Sequence, residues 1–173
     1  NTGMIFAMRA MGMAAFEEYV HAFGFGVGTG IELETESEGD ISSLDNESEI
    51  YTATATFGQG ITVTPLQIVM AYAAIANGGV LKAPQIVDEI RHADGTVEKR
   101  VSVDLAQVID SKTARTLAAM LVSVVEYGHG KRAGVPGYYI GGKTGTAQVA
   151  KSDGIGYAQD NTMLSNAVMM GAK

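Results

Sequence analysis

Gly141-Gly142-Lys143-Thr144-Gly145-Thr146-Ala147 packs one cation, two hydroxyls and three glycines into seven residues, and its conformation decides the fold of the chain. Two kinds of site need such a cluster. In a phosphate-binding loop of the pattern GxxxxGK[ST], which Gly137 to Thr144 match by letter, a strand ends before the first glycine. A helix then opens at the lysine, so that backbone N–H groups cradle the phosphates. The neighbours argue against that reading. Gly137 follows Gly134-Val135-Pro136, the supposed loop Tyr138-Tyr139-Ile140 favours a strand, and Gly145 interrupts any helix. The Walker-B-like acid, Asp104 after Val101-Ser102-Val103, lies upstream of the lysine and not downstream. As a strand, the same residues present alternate side chains to one face. Lys143 then supplies positive potential to a proton-transfer network, and Thr144 and Thr146 offer hydroxyls to an anionic substrate. Gly145 admits a substrate backbone, and the N–H near Thr146 can form half of an oxyanion hole, an arrangement suited to acyl transfer.

Working outward, the remaining signals point to helices between strands that pair as hairpins. Met4, Met8, Met11, Ala15, Tyr19 and Phe23 recur at helical spacing, which predicts one helix from about Gly3 to Phe23 with glycines at its end. Its methionine stripe reads as core. Thr64-Pro65-Leu66-Gln67 has a cap residue, proline at the first helical position and glutamine three after the cap, so a helix should run from Pro65 to about Ala76 and stop at Asn77-Gly78-Gly79. Residues 85–92 and 97–101 are strand-like runs around an Asp94-Gly95 turn. Ser111 can cap a helix reaching about Tyr127, and two further strands are expected around Tyr138–Val149 and Met163–Met170. The order implies an α+β fold with an antiparallel sheet.

Composition bounds the function. The chain has 173 residues, 46% of them hydrophobic, with no Cys, no Trp and a net charge of −7. That is about one globular domain and too apolar for a disordered tail. The charge is uneven: residues 1–81 hold ten acids against the single base Arg9, a balance of −9, and the remainder carries +2. With no clustered basic stretch, nucleic acid is not expected as a partner. Thiolate zinc sites and Cys nucleophiles are excluded, His21, His92 and His129 form no ligand pair, and no metal or cofactor is expected. Gly24, Gly26, Gly28 and Gly30 invite a dinucleotide reading, but the last glycine of GxGxxG is replaced in each register by Thr29, Ile31 or Leu33. Glu32, Glu34, Glu36 and Glu38 alternate, which predicts a solvated, charge-protected strand or loop. No stretch of about 18 apolar residues spans a bilayer, and no signal peptide is legible.

Four blocks in order carry a more specific message: Phe57-Gly58-Gln59-Gly60, Val63 to Gln67, Ala71 to Gly79, and Gly142 to Gln148. Together they resemble the second half of the transpeptidase domain of class B penicillin-binding proteins, with division-type peptidoglycan synthases most similar. That superfamily pairs a Ser-x-x-Lys nucleophile with a Ser-x-Asn element and Lys-Thr-Gly. The resemblance implies a partial serine transpeptidase or β-lactamase-like fold, with residues 1–173 as the C-terminal portion of a single domain, incomplete at both ends. It implies Lys143 and Asn1 as catalytic residues, Asn1 standing where the second motif ends. Thr144, Gly145 and Thr146 are implied as substrate-binding. None of the nine serines is followed by lysine three residues on, so the nucleophile lies outside this chain and the fragment alone is expected to be inactive.

By the same resemblance the parent enzyme would transfer acyl groups from D-Ala-D-Ala stem peptides through a Ser acyl-enzyme. It would bind β-lactams and act on the extracytoplasmic face of the bacterial membrane, with division or elongation membrane proteins as partners. Two alternatives stay open at this point: a catalytically inactive cell-wall peptide-binding or division scaffold, and a P-loop nucleotide-binding protein.

Overall fold

The computed structural model describes the backbone of residues 1–46, 48–150 and 157–170, and side chains within residues 1–145. It divides into two compact units, residues 1–110 and 111–173.

The first unit opens with two helices, α1 (Thr2–Met11) and α2 (Met13–Ala22), where the methionine periodicity predicts one. Gly12 separates them at φ 92° and ψ 149°, a conformation that is in practice open only to glycine. The 3.6-residue pattern survives such a break because the apolar face continues on both sides. After the Gly-rich segment and a 3₁₀ turn at Ser42–Asn46 comes α3 (Glu49–Ala55). Its Thr-rich sequence is a poor helix former. The hydroxyls of Thr52, Thr54 and Thr56 bond back to the carbonyls of Ser48, Tyr51 and Ala53, and Thr52 and Ala55 are buried, so packing overrides propensity. One core cluster gathers Ile41, Leu44 and Ala55 with Phe16, Val20, Phe25 and Ile61 around them.

Helix α4 (Pro65–Ala76) starts as the sequence predicts. Gln67 N–H donates to Thr64 Oγ1 at 3.2 Å, and Thr64 N–H donates to Gln67 Oε1 at 2.9 Å, closing the capping box. Its inward side chains Met70 and Ala74 pack with Leu81, Phe23, Leu66 and Val108 in a second cluster. Gly79 turns the chain out of α4 with φ 94°, where a Cβ would stand 1.9 Å from the Ile109 carbonyl oxygen. Strand β1 (Val80–Lys82) follows, then the hairpin β2 (Glu89–Arg91) and β3 (Val97–Lys99), and finally β4 (Asp104–Gln107), which returns antiparallel to β1. The Asp94-Gly95 turn is where the sequence places it, with both N–H and Oγ1 of Thr96 donating to the Asp94 carboxylate.

The row of glutamates is a loop and not a strand. Glu36 turns back to accept from Thr29 Oγ1 at 2.5 Å and from Gly30 N–H at 3.1 Å, and Glu32 accepts from Val87 N–H. One carboxylate of the run, Glu36, therefore closes back onto the neighbouring Gly-rich segment, and another, Glu32, reaches a distant backbone N–H.

The second unit is simpler. Helix α5 (Ser111–Tyr127) leads through a 3₁₀ turn at Lys131–Ala133 into β5 (Ile140–Ala150), which pairs antiparallel with β6 (Tyr157–Met170). Among its described residues, Ala114 and Val125 of α5 and Ile140 of β5 are the buried apolar side chains. Among the described residues the strands form three two-stranded antiparallel pairs, which with the helices make an α+β fold. Among the described residues no helix is long and apolar enough to cross a membrane.

Candidate active site

Strand β5 runs unbroken through Lys143, opposite β6, with Lys143 facing Ala167 in register, Thr144 facing Asn166 and Gly145 facing Ser165. No helix opens at the lysine. The phosphate-loop reading fails here, because consecutive extended residues cannot turn their N–H groups onto one phosphate as a helix N-terminus does.

The local sequence explains the exposure of the site. Ile140, Gly141 and Gly142 are buried, and absent side chains at the two glycines let the strand sink into the unit beside α5. The strand surfaces at Lys143 and Thr144, which are exposed, and Gly145 is half-buried. Lys143 Nζ donates to the Thr144 carbonyl oxygen at 2.8 Å and stands 3.5 Å from Thr144 Oγ1. Cation and hydroxyl therefore converge on one small volume, a combination that suits a carboxylate better than either group alone. Thr146 continues the strand opposite Leu164, and its side chain lies outside the described residues. β5 has β6 on one edge, and no strand pairs with its other edge among the described residues. Such an edge offers N–H and C=O groups to an extended peptide. Two open depressions mark the unit, one along α5 from Lys112 to Ser123 and one at Val125, Val135, Tyr138 and Ile140. Neither is lined by Lys143.

Asn1 belongs to the first unit, at the N-cap of α1. Its carbonyl accepts from Met4 N–H at 2.9 Å and Ile5 N–H at 3.2 Å, which locks its backbone to the helix, and its side chain makes no capping bond. A carboxamide not engaged by the helix is available to another group. Two contributions to this unit were not legible in the sequence. Gln67, expected only to cap α4, also donates both Nε2 protons, to the Val27 and Glu38 carbonyls at 2.9 Å each. Arg9, read only as the lone base of an acidic stretch, pairs with Glu49 at 2.5 Å. Partners 40 residues apart leave no local signal.

The family model for the penicillin binding protein transpeptidase domain matches residues 1–172. Stage V sporulation protein D of Bacillus subtilis is 40% identical over 167 residues, 95% of this chain and 26% of that protein. Penicillin-binding protein PbpB of Mycobacterium tuberculosis is 36% identical over 155 residues, 86% of this chain and 23% of its own length. The chain therefore spans about a quarter of the curated relatives it matches. Among solved structures, penicillin binding protein 3 from Mycobacterium tuberculosis complexed with aztreonam superposes with a TM-score of 0.90 at 33% identity, over 97% of this chain and 39% of that one. The ampicillin complex of the same protein gives 0.89. A strand-borne Lys-Thr-Gly-Thr, an α+β fold and near-complete coverage by one family model converge: the chain belongs to the transpeptidase domain family of the penicillin-binding proteins.

Proposed function

We propose that this chain is the C-terminal portion of the single transpeptidase domain of a peptidoglycan D,D-transpeptidase and forms the substrate-binding wall of its active site. The observation that carries the reading is the Lys143-Thr144-Gly145-Thr146 segment on a strand whose second edge has no partner strand among the described residues. A stem peptide ending in D-Ala-D-Ala would pair with that edge. Gly145 gives room for its backbone, and Thr144 and Thr146, with Lys143, hold its terminal carboxylate. A serine from the remainder of the domain, deprotonated by a neighbouring lysine, attacks the carbonyl of the penultimate D-Ala. The Thr146 N–H supports the resulting oxyanion, a contribution typically worth about 3–4 kcal/mol. Collapse breaks the peptide bond and gives the leaving D-Ala amine a proton. The acyl-enzyme then passes to an amine on a second strand in a ping-pong scheme. Lys143 and Asn1 shape the potential and hydrogen bonding through which the serine proton travels. The ampicillin and aztreonam complexes of the similar penicillin binding protein 3 support β-lactams as ligands of the whole domain. The site of action is the extracytoplasmic face of the cell membrane, with division or elongation membrane proteins as partners.

Labelling of the full-length protein with a fluorescent penicillin tests this reading. One covalent adduct on a serine is expected, and Lys143→Ala should slow its formation by about 10²-fold or more, the scale of a lost proton-transfer participant. Stem-peptide binding without any adduct would favour the inactive scaffold, and normal labelling of Lys143→Ala would remove the role of Lys143.

A further inference from the structure

We propose that Arg9, through its ion pair with Glu49, is a positioning residue for Asn1. The inference rests on the transpeptidase reading, in which the Asn1 carboxamide serves the reaction.

Asn1 is fixed to α1 by its own carbonyl, so wherever the helix points, Asn1 goes. What holds the helix is sparse. Met8 is its one buried side chain, 1% exposed, while Met4, Phe6 and Met11 are 54%, 75% and 44% exposed. At the C-terminal end Gly12 interrupts the helical path, so α2 does not dictate the direction of α1 as a continuous rod would. Met8, with the half-buried Ile5 one turn before it, holds α1 chiefly near its middle, and a rod held at one place still swings. The second point is Arg9, adjacent to Met8, whose Nε donates to Glu49 Oε1 at 2.5 Å on α3. Arg9 stands in the last turn of α1 and Glu49 in the first turn of α3, the ends at which each helix dipole favours that charge. It is also the only base among the first 81 residues, so no neighbouring cation in that stretch can replace it.

The lever is long. Eight residues separate Asn1 from Arg9, about 12 Å along a helix axis, so a swing of about 5° moves Asn1 by about 1 Å. Displacement of a catalytic group by about 1 Å can cost on the order of 10²-fold in rate. The pair itself is exposed, 64% and 53% at the two side chains, and exposed pairs contribute little to stability. Rate and stability should therefore separate.

The test uses the full-length protein and its acylation by a labelled penicillin, comparing Arg9→Met, Glu49→Gln, the double variant and Arg9→Lys, with Asn1→Ala as reference. Each single variant should acylate about 2- to 5-fold more slowly, the most by which an exposed pair can shift a population, with a melting temperature within about 2 °C of the parent. The double variant should be no slower than either single one, as coupled residues require. Arg9→Lys should recover most of the rate. Raising the salt concentration should slow the parent more than Arg9→Met, because only the parent has this pair to screen. Additive losses in the double variant, or normal acylation by Arg9→Met while Asn1→Ala is slow, would overturn the positioning role. A parent that forms no adduct, or an Asn1→Ala variant at full rate, would instead remove the underlying assignment of Asn1.

Discussion

Gln67 shows how much one side chain can organise when every polar atom is engaged. It is 1% exposed, its Oε1 accepts from Thr64 N–H, and its two Nε2 protons go to the carbonyls of Val27 and Glu38. It therefore joins the start of α4 to both ends of the Gly-rich and acidic segment, residues 27–38. Gln67→Leu keeps the volume but removes the partner of the Val27 and Glu38 carbonyls and of the Thr64 N–H, three part-buried hydrogen bonds, and should cost about 1–3 kcal/mol. Gln67→Glu makes the sharper test. At neutral pH it sets a carboxylate against two carbonyl oxygens, so it should melt at least as low as Gln67→Leu despite its closer shape. Acidification restores one donor and should narrow the gap to the parent. A Gln67→Glu protein as stable as the parent at pH 7 would mean that the two carbonyl contacts carry no weight.

Among the elements, the break between α1 and α2 has the clearest consequence. A Cβ at Gly12 meets nothing within 4 Å, so a substitution there is resisted by backbone conformation alone. Gly12→Ala should cost about 1–3 kcal/mol if the break persists, the range for a residue held in a forbidden region. If the chain relieves that strain by straightening towards one rod, stability recovers but Asn1 moves, and acylation by the full-length protein should fall. Calorimetry and penicillin labelling together read both routes, and a variant unaffected in each would show that the break is immaterial. The same helix pair marks what the sequence could and could not tell. Helix α4 was legible because cap, proline and glutamine act within four residues, and the Lys143 strand because neighbouring glycines and tyrosines exclude a helix there. The break at Gly12 was hidden because its apolar pattern continues across it. Helix α3 was hidden because threonines that favour strands are held helical by burial. Strands β1 and β4 are too short, at three and four residues, to show a period. For the candidate site, the strand motif was visible in the chain, while the means of holding Asn1 depends on a contact between distant residues.

At the scale of the whole molecule, the acidity of the first unit has a sign that pH can test. Three carboxylates there sit below their ordinary values. Glu36 is lowered mainly by the Thr29 hydroxyl, with the backbone of Thr29 and Gly30 adding to it. Asp40 is lowered by the hydroxyl and N–H of Ser42, and Asp94 by those of Thr96. A carboxyl depressed in the folded state stabilises the fold above its unfolded value, and that contribution fades as pH falls through the folded value. The ordinary values are 4.5 for Glu36 and 3.8 for the two aspartates, so the loss begins near those points and continues below them. Repulsion among the other acids of residues 1–81 changes in the opposite direction on protonation, but at physiological salt it is screened beyond about 8 Å. It is also common to parent and variant, so a comparison cancels most of it. The full-length protein and its Glu36→Ala/Asp40→Ala/Asp94→Ala form should therefore be melted between pH 7 and pH 3. The variant should melt lower at pH 7, and the gap should narrow as pH falls below the ordinary carboxylate values, where the parent's carboxylates begin to lose the charge that makes their hydrogen bonds strong. A gap of constant size across that range would mean that these residues act through packing or turn geometry alone, and that their ionisation does not stabilise the first unit.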